Sequence, residues 1–441
     1  MANTLLIKNG VMATLGEHNR VLRDHAILCE AGKIKKIGRT KDFKGKFGKV
    51  IDARGKVVMP GFINAHMHFY STMARGLGKA APAKNFQEVL ENLWWRLDKK
   101  LTIADSYYSA VIPLISAIRA GTTTLMDHHA SPFAVKGSLK AIEKAVRETG
   151  LRACLCYELS DRDGKKISEE GLEENIEFIK YAAALDDNRI KAMFGLHASF
   201  TVTDATLEEA AYRGHSLKAG FHIHTAESQG DQLYAEAHYR MRVVERLEKF
   251  GILGPRSIAA HCVHVNEKEM DILHRTHTPV AHNPQSNANN AVGIADIVGL
   301  MKKGVLVGLG TDAMTVNMLE EVRTGMWLQR LKNNPSAGFM EPVLALLVNN
   351  AEIANRHFTG LGVLKEGWAA DIILMDYFSP TPLDSDNFYG HLVFGLSQSQ
   401  VDTTIAAGRV LMENKKLKLN IDEEAIAKKS AELAKKLWSR F

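Results

Sequence analysis

Cysteine is scarce in this chain. Only Cys29, Cys154, Cys156 and Cys262 occur, and no Cys-x-x-Cys is among them. Cys154 and Cys156 sit inside the apolar run 151–159, so they read as buried thiols, which excludes a disulfide scaffold and a zinc knuckle. No stretch of eighteen apolar residues is present, which excludes a helical membrane span. The N-terminus, Met-Ala-Asn-Thr-Leu-Leu-Ile-Lys, lacks a basic segment ahead of an apolar one and does not read as a secretory signal. Excess charge is also missing: a net charge of +6 over 441 residues, with scattered lysines, reads as solubility and excludes a nucleic-acid partner. The expectation is a cytoplasmic protein with neither a membrane nor a nucleic acid as partner.

The chain does have a hydrophobic fraction of 46%, enough for a large core. Residues 1–60 read as short strands at 5–11, 26–29, 34–37 and 57–58, punctuated by Asn9-Gly10 and Ala31-Gly32, and suggest an antiparallel layer. The same texture returns at 370–375, 391–394 and 401–412. Between them, eight apolar runs alternate with amphipathic stretches: 62–68, 122–127, 153–158, 190–197, 220–224, 257–261, 278–282 and 305–310. Repeated βα units of this kind predict an α/β fold, a (β/α)8 TIM barrel, carrying a composite β-sandwich built from both termini. The expected divisions are 1–60 and 365–421 for the sandwich, 61–364 for the barrel and 422–441 for a terminal helix.

A barrel of this kind works at the C-terminal ends of its strands. That is where costly polar residues fall: His66 and His68, Asp127, Glu158, His197, His224, His261, His282 and Asp312. His66 and His68 lie at i and i+2, on one side of a strand, so both imidazoles can reach one ion. His224 precedes Glu227 by three residues, and Asp312 follows the buried run 305–310, whose Gly308 and Gly310 permit close backbone approach. Taken singly, His224 is equally a core histidine and Asp312 a helix cap. Together, three imidazoles and a carboxylate suit one divalent cation, Zn2+ or else Fe2+, with a position left for water.

Several stretches carry a resemblance. Met59-Pro60-Gly61-Phe62-Ile63-Asn64-Ala65-His66-Met67-His68, His224-Thr225-Ala226-Glu227, Ala259-Ala260-His261-Cys262-Val263-His264, Val280-Ala281-His282-Asn283-Pro284-Gln285-Ser286-Asn287 and Gly310-Thr311-Asp312 resemble the amidohydrolase superfamily. Within it the chain resembles the cytosine-deaminase-like branch of guanine deaminases, adenosine-analogue deaminases and triazine hydrolases. Asn92-Leu93-Trp94-Trp95-Arg96-Leu97-Asp98 with Asp127-His128-His129-Ala130-Ser131-Pro132 looks closest to the aminohydrolases called SsnA. The resemblance implies His66, His68, His224 and Asp312 as metal ligands, Asp312 as proton acceptor from water, Glu227 as proton carrier, His261 as the residue that orients water, and His197 as a contact to the bound ring. Binuclear members carry a lysine at the end of strand four. Here that end is Gly195-Leu196-His197, with Lys191 at the opposite end, which favours one metal.

The implied activity is a metal-dependent aminohydrolase that deaminates a purine-like N-heteroaromatic ring, such as a guanine analogue or pterin, and releases ammonia. Ser71 stands where guanine deaminases carry glutamine, which counts against guanine itself. Trp94 and Trp95 offer a stacking wall, or else anchor their loop. Tyr70 and Arg75 lie just beyond the histidine pair, and His128 follows strand two; these complete the expected substrate contacts, ahead of the weaker candidates Glu158, Asp161 and Arg162. Alternatives on the same site are a triazine-type chlorohydrolase, a cyclic amide hydrolase and a non-catalytic metal-binding barrel. The resemblance implies a homodimer or larger.

Overall fold

A computed structural model describes residues 4–16, 18–185 and 187–441. Parallel strands form two arcs. The first joins Phe62–Met67, Thr122–His129, Arg152–Tyr157 and Ile190–Ala192 in sequence order; the second joins Phe194–Ala198, Phe221–Thr225, Ile258–His261, Val280–His282 and Val307–Leu309. Phe62–Met67, Thr122–His129 and Arg152–Tyr157 are buried along their whole length, which is why they read as unbroken apolar runs. Single parallel bridges link the arcs at both seams, Met67 with Asp312 and Leu159 with Leu196.

The run 190–197 is therefore two strands, not one. Its first half pairs with Arg152–Tyr157 and its second with Phe221–Thr225. The break at Met193 lies where the backbone of Tyr157 crosses close by. A Cβ on Gly195 would lie 2.2 Å from the Tyr157 carbonyl oxygen, so only glycine allows the approach.

Amphipathic helices cover the arcs as their spacing predicts. Ser138–Thr149 buries Leu139, Ile142, Ala145 and Val146 and stops at left-handed Gly150. Asp204–Ser216 is capped by Thr203, whose hydroxyl accepts from Thr206 N–H. Among the described residues no single helix is long and apolar enough to cross a membrane.

The two ends of the chain form two further sheets. One has the order Lys33–Arg39, His25–Glu30, Thr4–Lys8, Lys49–Asp52. The other runs Lys416–Leu417, Arg409–Glu413, Val401–Ala406, Ile372–Asp376, Lys56–Pro60, Val11–Ala13, Val21–Leu22. Leu5, Ile27 and Ile34 of the first pack with Met12, Val58, Ile372 and Ile405 of the second.

Three expectations need correcting. The layer is mixed, because Thr4–Lys8 pairs parallel with Lys49–Asp52 and Val11–Ala13 parallel with Lys56–Pro60. The run 5–11 is divided between the sheets at Asn9-Gly10, where Asn9 adopts a φ of 67°. Residues 391–394 are not a strand but the end of the helix Phe388–Phe394. Its buried Phe388, Leu392 and Val393 have helical spacing, which a four-residue apolar run cannot reveal.

The last helix, Glu423–Ser439, is capped by Asp422, and buries Leu437 against Tyr70, Met73, Leu97 and Leu101. Trp438 Nε1–H donates to Met73 O at 2.7 Å, so this helix braces the segment just beyond the histidine pair.

Candidate metal centre and active site

The ends of the first and last parallel strands are knitted together by backbone. His66 O accepts from Thr311 N–H at 2.8 Å and Asp312 N–H at 3.0 Å. Gly310 makes this possible, since a Cβ there would meet His66 O at 2.7 Å. His224 hangs from Phe221–Thr225 and His261 ends Ile258–His261. The chain then turns through left-handed backbone at Ala226, His261, Cys262 and Asp312, with φ of 47°, 73°, 51° and 50°. Non-glycine residues in that region store about 1–3 kcal/mol each, a strain that collects at functional sites.

Here the side chains converge. His68 Nε2 lies 3.0 Å from Asp312 Oδ1 and 3.1 Å from His224 Nε2. Two imidazole nitrogens that close need a proton or a cation between them. His66 Nε2 is 3.8 Å from Asp312 Oδ1, and His261 Nε2 is 3.9 Å from Asp312 Oδ2 and 3.5 Å from Glu227 Oε2.

The outer nitrogens are occupied. His66 Nδ1 meets His222 Nε2 at 2.8 Å, His68 Nδ1 donates to His128 O at 2.6 Å, and His261 Nδ1 donates to Asn287 Oδ1 at 2.8 Å. His66 Nε2 and His261 Nε2 are left buried and without a hydrogen-bond partner. Donor atoms of His66, His224, His261 and Asp312 lie within 4.8 Å of one another, as do those of His66, His68, His128 and His224. Inward lone pairs with the outer nitrogens held by the protein are what a divalent cation needs, and these residues fit one.

Burial, then the neighbouring imidazoles, pushes His66 and His224 well below the usual histidine range, so both rings are neutral at pH 7. Burial opposes charge on His68 too, but Asp312 and Glu158 outweigh it and hold that ring well above the usual range. Asp312 is drawn down to about 2, burial opposing and His68 prevailing. Glu227 is raised well above the carboxylate range by burial, then by the Asp312 charge.

The cluster floors a cavity of about 700 Å³. Tyr70, Trp94, Trp95, His197 and Glu227 all line it. His197 Nδ1 donates to Thr201 Oγ1 at 2.7 Å, since that hydroxyl gives its own proton to Ala198 O, so His197 Nε2 presents a lone pair. Two expected contacts lie elsewhere. His128 is fully buried behind the cluster, stacked on His222 at 4.6 Å, because its strand turns that side chain inward. Arg75 is exposed and lines a neighbouring cleft with Ser71 and Thr72.

Residues that sequence reasoning passed over support the cluster. His222 repeats the two-residue spacing of His66 and His68 on the strand of His224, a signal that was available. Asn287 and Ser286, which hydrogen-bonds Asp312 Oδ2, come from the short helix Pro284–Asn289, and nothing in their spacing marked them. Asp98 lines the cavity and pairs with Arg162, a contact between segments 64 residues apart. Glu158, a weaker expectation, is also on the wall, with Oε1 3.0 Å from His68 Nδ1.

Known proteins share this arrangement's sequence and fold. A 5'-deoxyadenosine deaminase of Methanobrevibacter smithii is 34% identical over 99% of this chain and 98% of its own. A 5-methylthioadenosine/S-adenosylhomocysteine deaminase of Syntrophomonas wolfei is 32% identical over 98% and 99%. The crystal structure of an adenosine deaminase from Xanthomonas campestris with bound zinc superposes with a TM-score of 0.88 at 23% identity, covering 99% of this chain and 98% of its own, a likeness of fold. The model of the amidohydrolase family matches residues 57–411. With that match and two relatives above 30% identity along nearly their whole length, the chain belongs to the amidohydrolase family and is a hydrolase acting on carbon–nitrogen bonds.

Proposed function

We propose that this protein hydrolytically removes the exocyclic amino group of an adenine-type nucleoside. The observation that carries the reading is Glu227: a buried carboxyl of raised pKa, 3.5 Å from His261 and beside inward-facing imidazoles, at the floor of an aromatic-walled cavity. The names of the relatives point to the adenine ring rather than to guanine or a pterin.

His66, His68, His224 and Asp312 would hold one divalent cation, Zn2+ or Fe2+. Bound there, such a cation would supply Lewis-acid polarisation of a water, bringing its pKa to about 7. Asp312 takes the proton as the water oxygen adds to the ring carbon bearing the amino group. Glu227, protonated, gives its proton to the adjacent ring nitrogen and makes that carbon electrophilic. Now a carboxylate, Glu227 takes the remaining proton of the added hydroxyl and passes it to the amino group, which departs as ammonia and leaves an oxo group on the ring; the proton on Asp312 then restores Glu227. His261 was expected to orient the water. With its Nδ1 proton held by Asn287, the ring presents an acceptor at Nε2, and burial keeps it below the usual histidine range, the Asp312 charge opposing. His197 Nε2 faces the substrate as an acceptor, and Tyr70, Trp94 and Trp95 enclose the ring. His128 supports His222 and through it His66.

The two arcs are read as the halves of one (β/α)8 barrel, supported by the bridges at both seams, and the terminal sheets as one β-sandwich, supported by their shared core. The test is ammonia release over a panel of adenosine, 5'-deoxyadenosine, guanine, a pterin and an aminotriazine. Adenine nucleosides should be turned over fastest. Release only from guanine or the pterin, or chloride release from a chlorotriazine with none from adenosine, would replace this reading.

A further inference from the structure

The short helix Pro284–Asn289 carries two side chains that aim the floor of the cavity. Ser286 donates to Asp312 Oδ2, and Asn287 accepts from His261 Nδ1. A helix of six residues has little stability of its own. Its start is poorly provided for locally: Pro284, at the first position, has no N–H, and the Asn283 side chain makes no cap hydrogen bond. The first N–H the helix offers is that of Gln285. Glu321 Oε2 accepts it at 3.1 Å from the helix Met318–Lys332, 36 residues further along the chain.

That longer helix grips the whole segment. One turn beyond Glu321, Gly325 sits against Pro284, where a Cβ would lie 3.7 Å from Pro284 Cγ. Gln329 Nε2–H donates to Ala295 O and Lys332 Nζ to Ile294 O, both at 2.8 Å. Positions 321, 325, 329 and 332 share one helix face, so a single face pins both ends of residues 284–295. Glu321 is fully buried, and its Oε1 has no hydrogen-bond partner. Burial pushes its carboxyl up to about 8, with the Gln285 N–H opposing and the Asp312 charge adding, so it is largely neutral at pH 7. An apolar side chain would fill that space without the cost of burying a carboxyl. Glu321 stands outside the cavity wall and touches no substrate.

We propose that Glu321 is a positioning residue for the reaction: by accepting the Gln285 N–H it fixes the short helix that aims Ser286 at Asp312 and Asn287 at His261. This rests on the roles given above to Asp312 and His261. The hydrogen bond, not the charge, is what the position supplies, so glutamine should replace Glu321 and an apolar residue of similar size should not.

The test measures kcat and KM for adenosine, and the proton resonance of the buried His261 Nδ1–H, assigned by its loss in His261→Gln. Glu321→Met should lower kcat about tenfold with KM little changed and should move the resonance. Glu321→Gln should keep both close to the wild type. In an Asn287→Ala background, Glu321→Met should cost a further threefold or less, about the coupling expected of residues acting through one helix. Should Glu321→Met fail to fold, Glu321→Asp, whose carboxyl is drawn back from Gln285, carries the same expectations. An unchanged kcat and resonance in Glu321→Met, equal losses in Glu321→Met and Glu321→Gln, or a full further tenfold loss beside Asn287→Ala would overturn the inference and leave the deaminase reading standing. No turnover of adenosine by the wild type would overturn the substrate reading, and the resonance alone would then decide whether Glu321 places His261.

Discussion

The floor of the cavity and its wall are built differently. His66, His224 and His261 hang from parallel strands whose ladders set their positions, and Asp312 is tied to His66 by backbone. Tyr70, Trp94 and Trp95 stand on short helical turns between residues 69 and 97, where Tyr70 and Trp94 join side-chain packing that reaches the C-terminal Leu437 and Trp438. A ladder fixes geometry for chemistry, whereas packed turns can change shape without disturbing it. The reaction type belongs to the floor and the choice of substrate to the wall, so variants should divide the same way.

The largest effect is expected at the floor. His66→Ala should lose the metal by elemental analysis and fall to background turnover. Chelation should lower the melting temperature of the wild type but not of this variant, because a ligand bound only by the folded state stabilises it. Metal content and melting temperature unchanged in His66→Ala would break the comparison. Next comes Asn287→Ala, which frees His261 Nδ1: kcat should fall about 10- to 100-fold with KM little changed. A change in KM alone would move His261 to the wall. Smaller still, Trp95→Ala should raise KM by about tenfold or less and leave metal content intact. A lost metal there would show that floor and wall are coupled, through His197, whose ring lies 6.3 Å from Trp95.

How legible each region was follows from the same difference. The polar residues at strand ends could be read because strand side chains alternate and the apolar runs stop at the C-terminal ends of the parallel strands. His66 with His68, His224 with Glu227, and Asp312 stood out in that way. The break in the run 190–197 could not be read, because it depends on the Tyr157 backbone, 38 residues before Gly195. Nor could the helix at Phe388–Phe394, whose apolar residues fit either period over four positions. Arg75 and His128 follow strand ends closely enough to suggest contact with substrate. Yet Arg75 turns outward on a short helical turn, and His128 points into the layer behind His66. Asn287 and Asp98 lie at the ends of stretches that carry the family resemblance, but their roles rest on tertiary contacts, to His261 and Arg162, that spacing does not record.

Glu227 tests the central claim most directly, because the proposed mechanism gives it the proton transfers and no part in holding the metal. Metal content and ammonia release from an adenine nucleoside should be measured on one preparation of Glu227→Gln beside the wild type. The expected result is an unchanged metal content with turnover lowered by about 10³-fold. Turnover equal to the wild type at equal metal content would contradict the account.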